Sequence, residues 1–175
     1  MPAIATEKKL RKMLEPLLEN GESVSCVTFQ GGFKKSCLAG TTNGRLLVST
    51  LPFFGSKATL LKAFYYQEIE KIDCNPGANY GYLSFKTEEE NFNFKIAAGL
   101  FDTFGQAMAI YTEVLKANPD AAPDYLPDDE SVSFMVYTAE HVIKLTEEHV
   151  LCLAFDAKTG AATVIKTIPA ASLEA

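Results

Sequence analysis

The opening of this chain is written twice, and that constrains its fold more than any other feature. Glu22-Ser23-Val24-Ser25 leads into an apolar stretch, and Glu130-Ser131-Val132-Ser133 leads into another 108 residues later. Residues 42–71 then match residues 146–175 without a gap at an offset of 104. The identities are Thr42/Thr146, Leu47/Leu151, Ala58/Ala162, Thr59/Thr163, Lys62/Lys166 and Glu70/Glu174. Apolar character is kept at Leu46/Val150, Val48/Cys152, Leu60/Val164, Leu61/Ile165, Phe64/Ile168 and Ile69/Leu173. Six identities in thirty positions carry little alone, but strands, turns and spacing agree with them. The chain is therefore read as a duplication whose second copy holds only the first four strands and the start of a fifth.

Local pattern sets the elements. Leu10, Met13, Leu14, Leu17 and Leu18 form one helical stripe over residues 7–19. Thr6 is placed to cap it, and Pro16 predicts a kink or two short helices before Asn20-Gly21 ends it. The period then changes to two. Strands are expected at 22–30, 35–41, 45–50, 58–64, 68–74 and 80–86, with a seventh marked by Phe92, Phe94 and Ile96. Gly31-Gly32 turns the first hairpin, and Asn43-Gly44 predicts a type I′ turn in the second. A helix follows over about 100–116, with a stripe of Phe101, Phe104, Met108, Tyr111 and Leu115 that needs burial. Residues 119–129, with three prolines and four aspartates, read as a semi-stiff acidic linker. The second copy supplies strands near 131–137, 141–145, 150–155 and 163–168, and its Asp156–Gly160 loop has no aromatics.

This order of a leading helix, seven strands and a closing helix resembles the bacterial pleckstrin-homology-like (PH-like) domain. The segment Leu38-Ala39-Gly40-Thr41-Thr42-Asn43-Gly44-Arg45-Leu46-Leu47-Val48 is similar to the leucine-threonine-asparagine-x-arginine-leucine-leucine hairpin of that family. Phe64-Tyr65-Tyr66-Gln67-Glu68-Ile69-Glu70-Lys71-Ile72 is similar to its proline-leucine-x-x-isoleucine segment, with Tyr65 in place of the proline. The second copy keeps that residue as Pro169. The resemblance implies a mainly β protein: a seven-stranded, partly open antiparallel barrel closed by a C-terminal helix, preceded by an N-terminal helix. The organisation expected is a PH-like domain at 1–118, a linker at 119–129 and an incomplete second β unit at 130–175. The resemblance brings no catalytic group.

Charge narrows the partners. Residues 1–116 carry 13 basic and 12 acidic side chains, whereas residues 117–175 carry 3 and 10. A nearly neutral body with an acidic appendix argues against general nucleic-acid or anionic-membrane binding, which runs on clustered Lys and Arg. No apolar run reaches the roughly 20 residues that span a bilayer, and no secretory leader is legible, so a cytoplasmic setting is expected. Of the four cysteines, Cys26 and Cys152 sit among apolar strand residues as buried thiols. None of the four forms a close Cys-x-x-Cys pair with histidine partners, so no zinc site is expected. The alternative of a Cys26–Cys37 disulfide is disfavoured by a reducing compartment.

Three groups of residues are candidates for function. In PH-like relatives the first hairpin often holds phosphoinositide headgroups, and here it carries Lys34 and Lys35, with Arg45 and Lys57 as possible neighbours. Phe53 and Phe54 in a loop, with Tyr65 and Tyr66 at a corner, either fold back over the barrel or meet a protein partner. His141 and His149, expected near one another across a hairpin, have carboxylates beside them but no third ligand, and are read as ordinary edge histidines. No nucleophile–base set and no phosphate-cradling glycine loop is present, so neither catalysis nor a cofactor is expected. The leading expectation is a non-catalytic protein-interaction or self-association module. The alternatives are peripheral binding of anionic lipid and a small-ligand groove under the closing helix. An unfinished second sheet adds an edge that the first domain, another subunit or further chain must cap.

Overall fold

The computed structural model describes residues 7–30, 35–98, 102–127, 129–156 and 161–173. The expectations on Thr6, Gly31-Gly32, Lys34, Phe101, the tip of the 156–160 loop and Glu174 lie outside those residues. The first helix, α1 (Glu7–Leu14), gives way at Glu15 to a 3-10 turn over Glu15–Leu17, because Pro16 has no amide to continue the α ladder. Strands β1 (Val24–Gln30), β2 (Ser36–Thr41), β3 (Arg45–Thr50) and β4 (Thr59–Tyr65) form an antiparallel meander. A 3-10 corner at Tyr66–Glu68 leads into a second meander of β5 (Ile69–Asn75), β6 (Tyr80–Thr87) and β7 (Asn91–Ala97). Among the described residues the two sheets share no strand ladder, so the barrel stays partly open. Helix α2 (Thr103–Ala117), capped by the Asp102 carboxylate on the Gly105 amide, packs across it.

Two expectations about these elements change. The β2–β3 turn is not type I′: among its residues only Gly44 has positive φ, at 71°, and the Gly44 amide donates to Thr41 O at 3.0 Å. That is a three-residue loop ending in a left-handed glycine. On α2 the buried stripe is Thr103, Ala107, Ile110, Tyr111 and Val114, one step round from the expected one. The small Ala107 lets the helix sit close on the sheet, while Phe104, Met108 and Leu115 are left half-buried on its flank. The seat of the helix is thus filled by its own side chains.

The β1–β4 sheet is apolar on both faces. Cys26, Leu38, Leu46 and Val48 point into the barrel with α2 and the β5–β7 sheet. Val27, Phe29, Cys37, Ala39 and Leu47 point the other way, against Leu10, Met13 and Leu14 of α1. Each such side chain removed from water contributes about 1.5–3 kcal/mol before ordering costs. Cys26 and Cys37 therefore lie on opposite faces, which rules out the disulfide between them; all four cysteines are free. Burial pushes the thiols of Cys26, Cys37 and Cys74 up to about 12, so they are inert hydrophobes.

A further antiparallel sheet follows, in the order β11-β10-β9-β8: β8 (Phe134–Tyr137), β9 (His141–Leu145), β10 (His149–Phe155) and β11 (Ala162–Pro169). It repeats the register of the first. Cys26 opposes Gly40 as Phe134 opposes Leu145, and Gly40 opposes Leu46 as Leu145 opposes Val150. Leu46 opposes Phe64 as Val150 opposes Ile168. Both ladders slip at the same place, between Val48 and Ser49 in one and between Cys152 and Leu153 in the other. Past each fourth strand the chain enters a 3-10 corner, with the Tyr66 amide on Gly44 O (2.9 Å) and the Ala170 amide on Glu148 O (2.7 Å). The offset is 108 in the first strand, 105 in the second and 104 in the third and fourth, because in the second sheet the first hairpin is three residues shorter and the second hairpin one residue shorter. Thr41, rather than Thr42, is thus the counterpart of Thr146. Residues 170–173 form that 3-10 corner, not the start of a fifth strand.

The segment between the two parts is packed, not free. Ala121 and Leu126 are buried in the main core, and Tyr125 donates to Asp73 Oδ1 at 2.5 Å. The second sheet is fastened there too. Lys144, 1% exposed, reaches Asp73 Oδ1 at 2.6 Å and the Tyr125 hydroxyl, while Leu151 and Leu153 enter the main core and Val142 and Phe155 pack on Tyr82. Lys144→Met leaves the Asp73 charge without its cation and is expected to cost about 3 kcal/mol. The loss should be local. Amide exchange in β9 and β10 should accelerate well beyond that in β1–β3, and equal acceleration in both sheets would show that this pair does not fasten the second one.

Candidate functional site

The positions singled out in the sequence fall into two places. At one end of the first sheet, the Leu51 amide donates to Lys35 O at 2.8 Å, which brings the start of β2 beside the loop that follows β3. That loop holds Phe53 and Phe54, 68% and 86% exposed, edge to face at 4.9 Å. Lys35 Nζ lies 5.1 Å from the Phe53 ring centre, and Lys57 is exposed in the same loop. Two aromatics in water with two cations nearby cost solvation unless something covers them. The rings do not fold back over the barrel.

Arg45 is at the other end. Lys35 lies one step beyond the Ser36–Thr50 pair and Arg45 one step beyond the Gly40–Leu46 pair at the other end, roughly 20 Å apart along the strand at about 3.3 Å per residue. Its guanidinium turns inward, where Nε donates to Glu22 Oε1 at 2.9 Å, Nη2 binds the same carboxylate, and Nη1 lies 3.1 Å from Glu19. Thr41 Oγ1 also donates to Glu22 and accepts the Arg45 amide at 3.2 Å. The arginine beside that carboxylate holds Glu22 down to about 2. Arg45 is thus a clasp on the hairpin, with its charge already matched, and does not join Lys35 in a phosphate site. Nothing in its sequence context announced that pairing except Glu22, the first residue of the repeated tetrapeptide.

The clasp is repeated. Glu130 takes the place of Glu22, Thr146 that of Thr41 and His149 that of Arg45: His149 Nδ1 is 2.7 Å from Glu130 Oε1, Thr146 Oγ1 donates to Glu130, and the His149 amide donates to Thr146 Oγ1 at 2.9 Å. Glu148 lies close enough to complete a trio of potential metal ligands with Glu130 and His149. Two of the three are already committed to the clasp. His141, expected nearby, opposes Ala154 at the far end of β10, because antiparallel register sends the two ends of a hairpin apart.

The two corner tyrosines separate. Tyr65 is half exposed, its amide on Glu68 Oε2 at 2.7 Å. Tyr66 is buried, and its hydroxyl donates to Glu113 of α2 at 3.0 Å, where Ser25 Oγ also donates at 2.7 Å. Gly40 makes room for this cluster: a Cβ there would stand 2.5 Å from the Tyr66 hydroxyl and 2.8 Å from Cys26 Sγ. Tyr66 is therefore a structural residue that ties helix to sheet, not a surface for partners.

With two meanders and a helix packed across them described, the comparison with known families is decisive. Residues 18–99 match the family model of the bacterial PH domain. That segment is a bacterial PH domain. The match runs from just before β1 to just after β7, so both α helices and the second four-stranded sheet stand outside it. No curated protein matches the chain. Among solved structures it is similar to a DUF1696 family protein with a pleckstrin-homology domain from Shewanella loihica PV-4, at 16% identity. That likeness covers 63% of this chain and 98% of that one, with a TM-score of 0.43. It is also similar to the Nup133 β-propeller domain of Vanderwaltozyma polyspora, at 11% identity over 87% of this chain and 47% of that one, TM-score 0.31.

The clasp in the PH domain gives a pH signature. Glu22→Gln should lower stability at pH 7 by about 3 kcal/mol, because Arg45 is left buried beside a neutral group. The carboxylate's advantage is full above its ordinary value of 4.5 and is lost as pH falls towards about 2. Urea titrations of the variant and the wild-type protein should therefore converge over that range. A gap that stays constant down to pH 2 would mean that the charge of Glu22 contributes nothing.

Proposed function

We propose that this chain is a non-catalytic interaction module of the bacterial PH type that binds protein, either a different protein or a second copy of itself. The observation that carries the reading is the amount of large apolar side chain left in water. Phe53 and Phe54 stand out at one end of the PH domain, and Phe134, Val136, Ile143 and Ile165 are exposed on the second sheet. Soluble chains seldom expose apolar patches of this kind without a partner. PH domains generally mediate protein or lipid interactions. The reading treats residues 130–175 as a partial second PH-like unit, joined through 119–129 to the first at 1–118, with shared ladder register as its support. It also places the chain in the cytoplasm, where its free thiols would stay reduced.

One observation favours a second reading. Lys35 and Lys57 beside two exposed phenylalanines are what a peripheral membrane contact uses: cations for anionic headgroups and rings for the interface. Lys34 would add to it by sequence. No helix among the described residues is long and apolar enough to cross a membrane.

Cross-linking of the full chain in cell lysate, followed by mapping of the linked residues, tests the first reading. Links to protein should concentrate beside Phe53 and Phe54 or on β8 and β11. The reading falls if substitution of the exposed apolar residues by serine leaves the pattern unchanged. Co-sedimentation with vesicles containing phosphatidylserine separates the second: binding that weakens with salt and is lost in Lys35→Glu with Lys57→Glu would replace protein binding by lipid binding.

A further inference from the structure

We infer that Glu130, Glu148 and His149 bind a divalent transition-metal ion of the zinc class, which locks the second clasp as the Arg45 guanidinium locks the first.

The repeat shows what the second clasp lacks. In the PH domain two carboxylates, Glu22 and Glu19, surround one permanent cation on Arg45. Arg45 opposes Tyr65 as His149 opposes Pro169, so an imidazole stands where the guanidinium does. Glu130 keeps the place of Glu22. The second hairpin then adds a carboxylate of its own, because Glu148 occupies the position of Gly44; each offers its carbonyl to the amide of the following corner. Two carboxylates thus remain, while the fixed cation has been exchanged for a ring that in its neutral form offers a lone pair.

The geometry fits an ion. One donor atom from each of the three residues lies within 4.8 Å of the other two. Zinc bonds of about 2.0–2.1 Å to nitrogen and oxygen set tetrahedral ligands about 3.3 Å apart. His149 Nδ1 and Glu130 Oε1, at 2.7 Å, need only part slightly to admit the ion, with the ring proton carried on Nε2 instead. Glu148 is exposed and free to swing in. Glu130 is held ready: its side chain is only 8% exposed, and Thr146 Oγ1 donates to Oε2, which leaves Oε1 aimed at the imidazole. An outer bond of this kind orients a ligating carboxylate. A water would complete four-coordination.

The surroundings favour a cation as well. Glu130 lines a cleft of about 920 Å³ whose wall also carries Asp120, Asp124 and Asp129. Lys71 is the one cation among the described lining residues, and Asp124 already pairs with it at 2.9 Å. A cleft lined by one sign of charge raises the local concentration of counter-ions. Cys152, expected to be buried, is only half-buried, but it lies three residues along β10 from His149 and so on the other face of the strand. The ligands are therefore nitrogen and oxygen without sulfur, a set that suits zinc better than the all-oxygen ions magnesium and calcium.

Calorimetric titration of the metal-stripped full chain with zinc chloride tests the site. One zinc ion per chain should bind, and Glu148→Gln, at an exposed position outside the clasp, should weaken it at least about ten-fold. His149→Arg gives the second clasp the cation of the first, so this variant should stay folded by circular dichroism and lose the zinc. His141→Ala, at the far end of the β9–β10 pair, should leave binding unchanged. Cobalt(II) in place of zinc should show the visible bands of a tetrahedral site without thiolate charge-transfer absorption. The inference is overturned if the wild-type chain takes up no zinc at about 100 μM. It also falls if His149→Arg or Glu148→Gln binds zinc as tightly as the wild type, if binding depends on His141, or if thiolate absorption appears.

Discussion

A four-stranded sheet that is apolar on both faces must be covered twice, and this constraint organises the whole molecule. For β1–β3 the covers are α1 on one side and the β5–β7 sheet with α2 on the other, while β4 at the edge stays largely exposed. For β8–β11 the first domain provides one cover, and the second face stays open among the described residues. The burial involved is large compared with the 5–15 kcal/mol that holds a domain folded. Neither face of such a sheet is therefore neutral in energy.

Where the second sheet docks, the chain combines apolar contact with one largely buried ion pair. Lys144, Asp73 and the Tyr125 hydroxyl form a closed set, and Asp73 takes further bonds from the Cys74 amide at 2.9 Å and Asn75 Nδ2 at 2.8 Å. A buried pair of this kind adds little net stability but penalises every other docking position, since a shifted sheet would leave a cation in the core. It specifies position while Leu151, Leu153 and Val142 supply the attraction. The paired clasps, Glu22 with Arg45 and Glu130 with His149, do the same work at the hairpin ends.

Much of the fold was legible because it rests on local periodicity. The strand boundaries lie within a few residues of the alternation that announced them, and Pro16 broke the first helix where its missing amide required. The errors arose where geometry depends on more than the local pattern. Asn43-Gly44 suggests a two-residue turn, but the Thr41–Arg45 pair closes a loop of three, which leaves only Gly44 left-handed. The stripe on α2 was drawn through its largest side chains, whereas close packing selected the one through Ala107. Of the candidate site, the exposure of Phe53 and Phe54 fitted one of two expectations, while Arg45 and Tyr66 proved to be structural.

The sequence by itself determined the alternation of the strands, the residues shared at a fixed offset and the bacterial PH type of its first part. Each of these is written in residue order: identities at a fixed offset, alternating apolar residues and turn residues between them. Only the tertiary structure decided which face of the second sheet is spent on the first domain and which is left outward. Alternation shows that a strand has two faces, but two faces that are both apolar look alike in a sequence. The choice between them came from Lys144, whose charge could be buried only where Asp73 and Tyr125 were waiting for it.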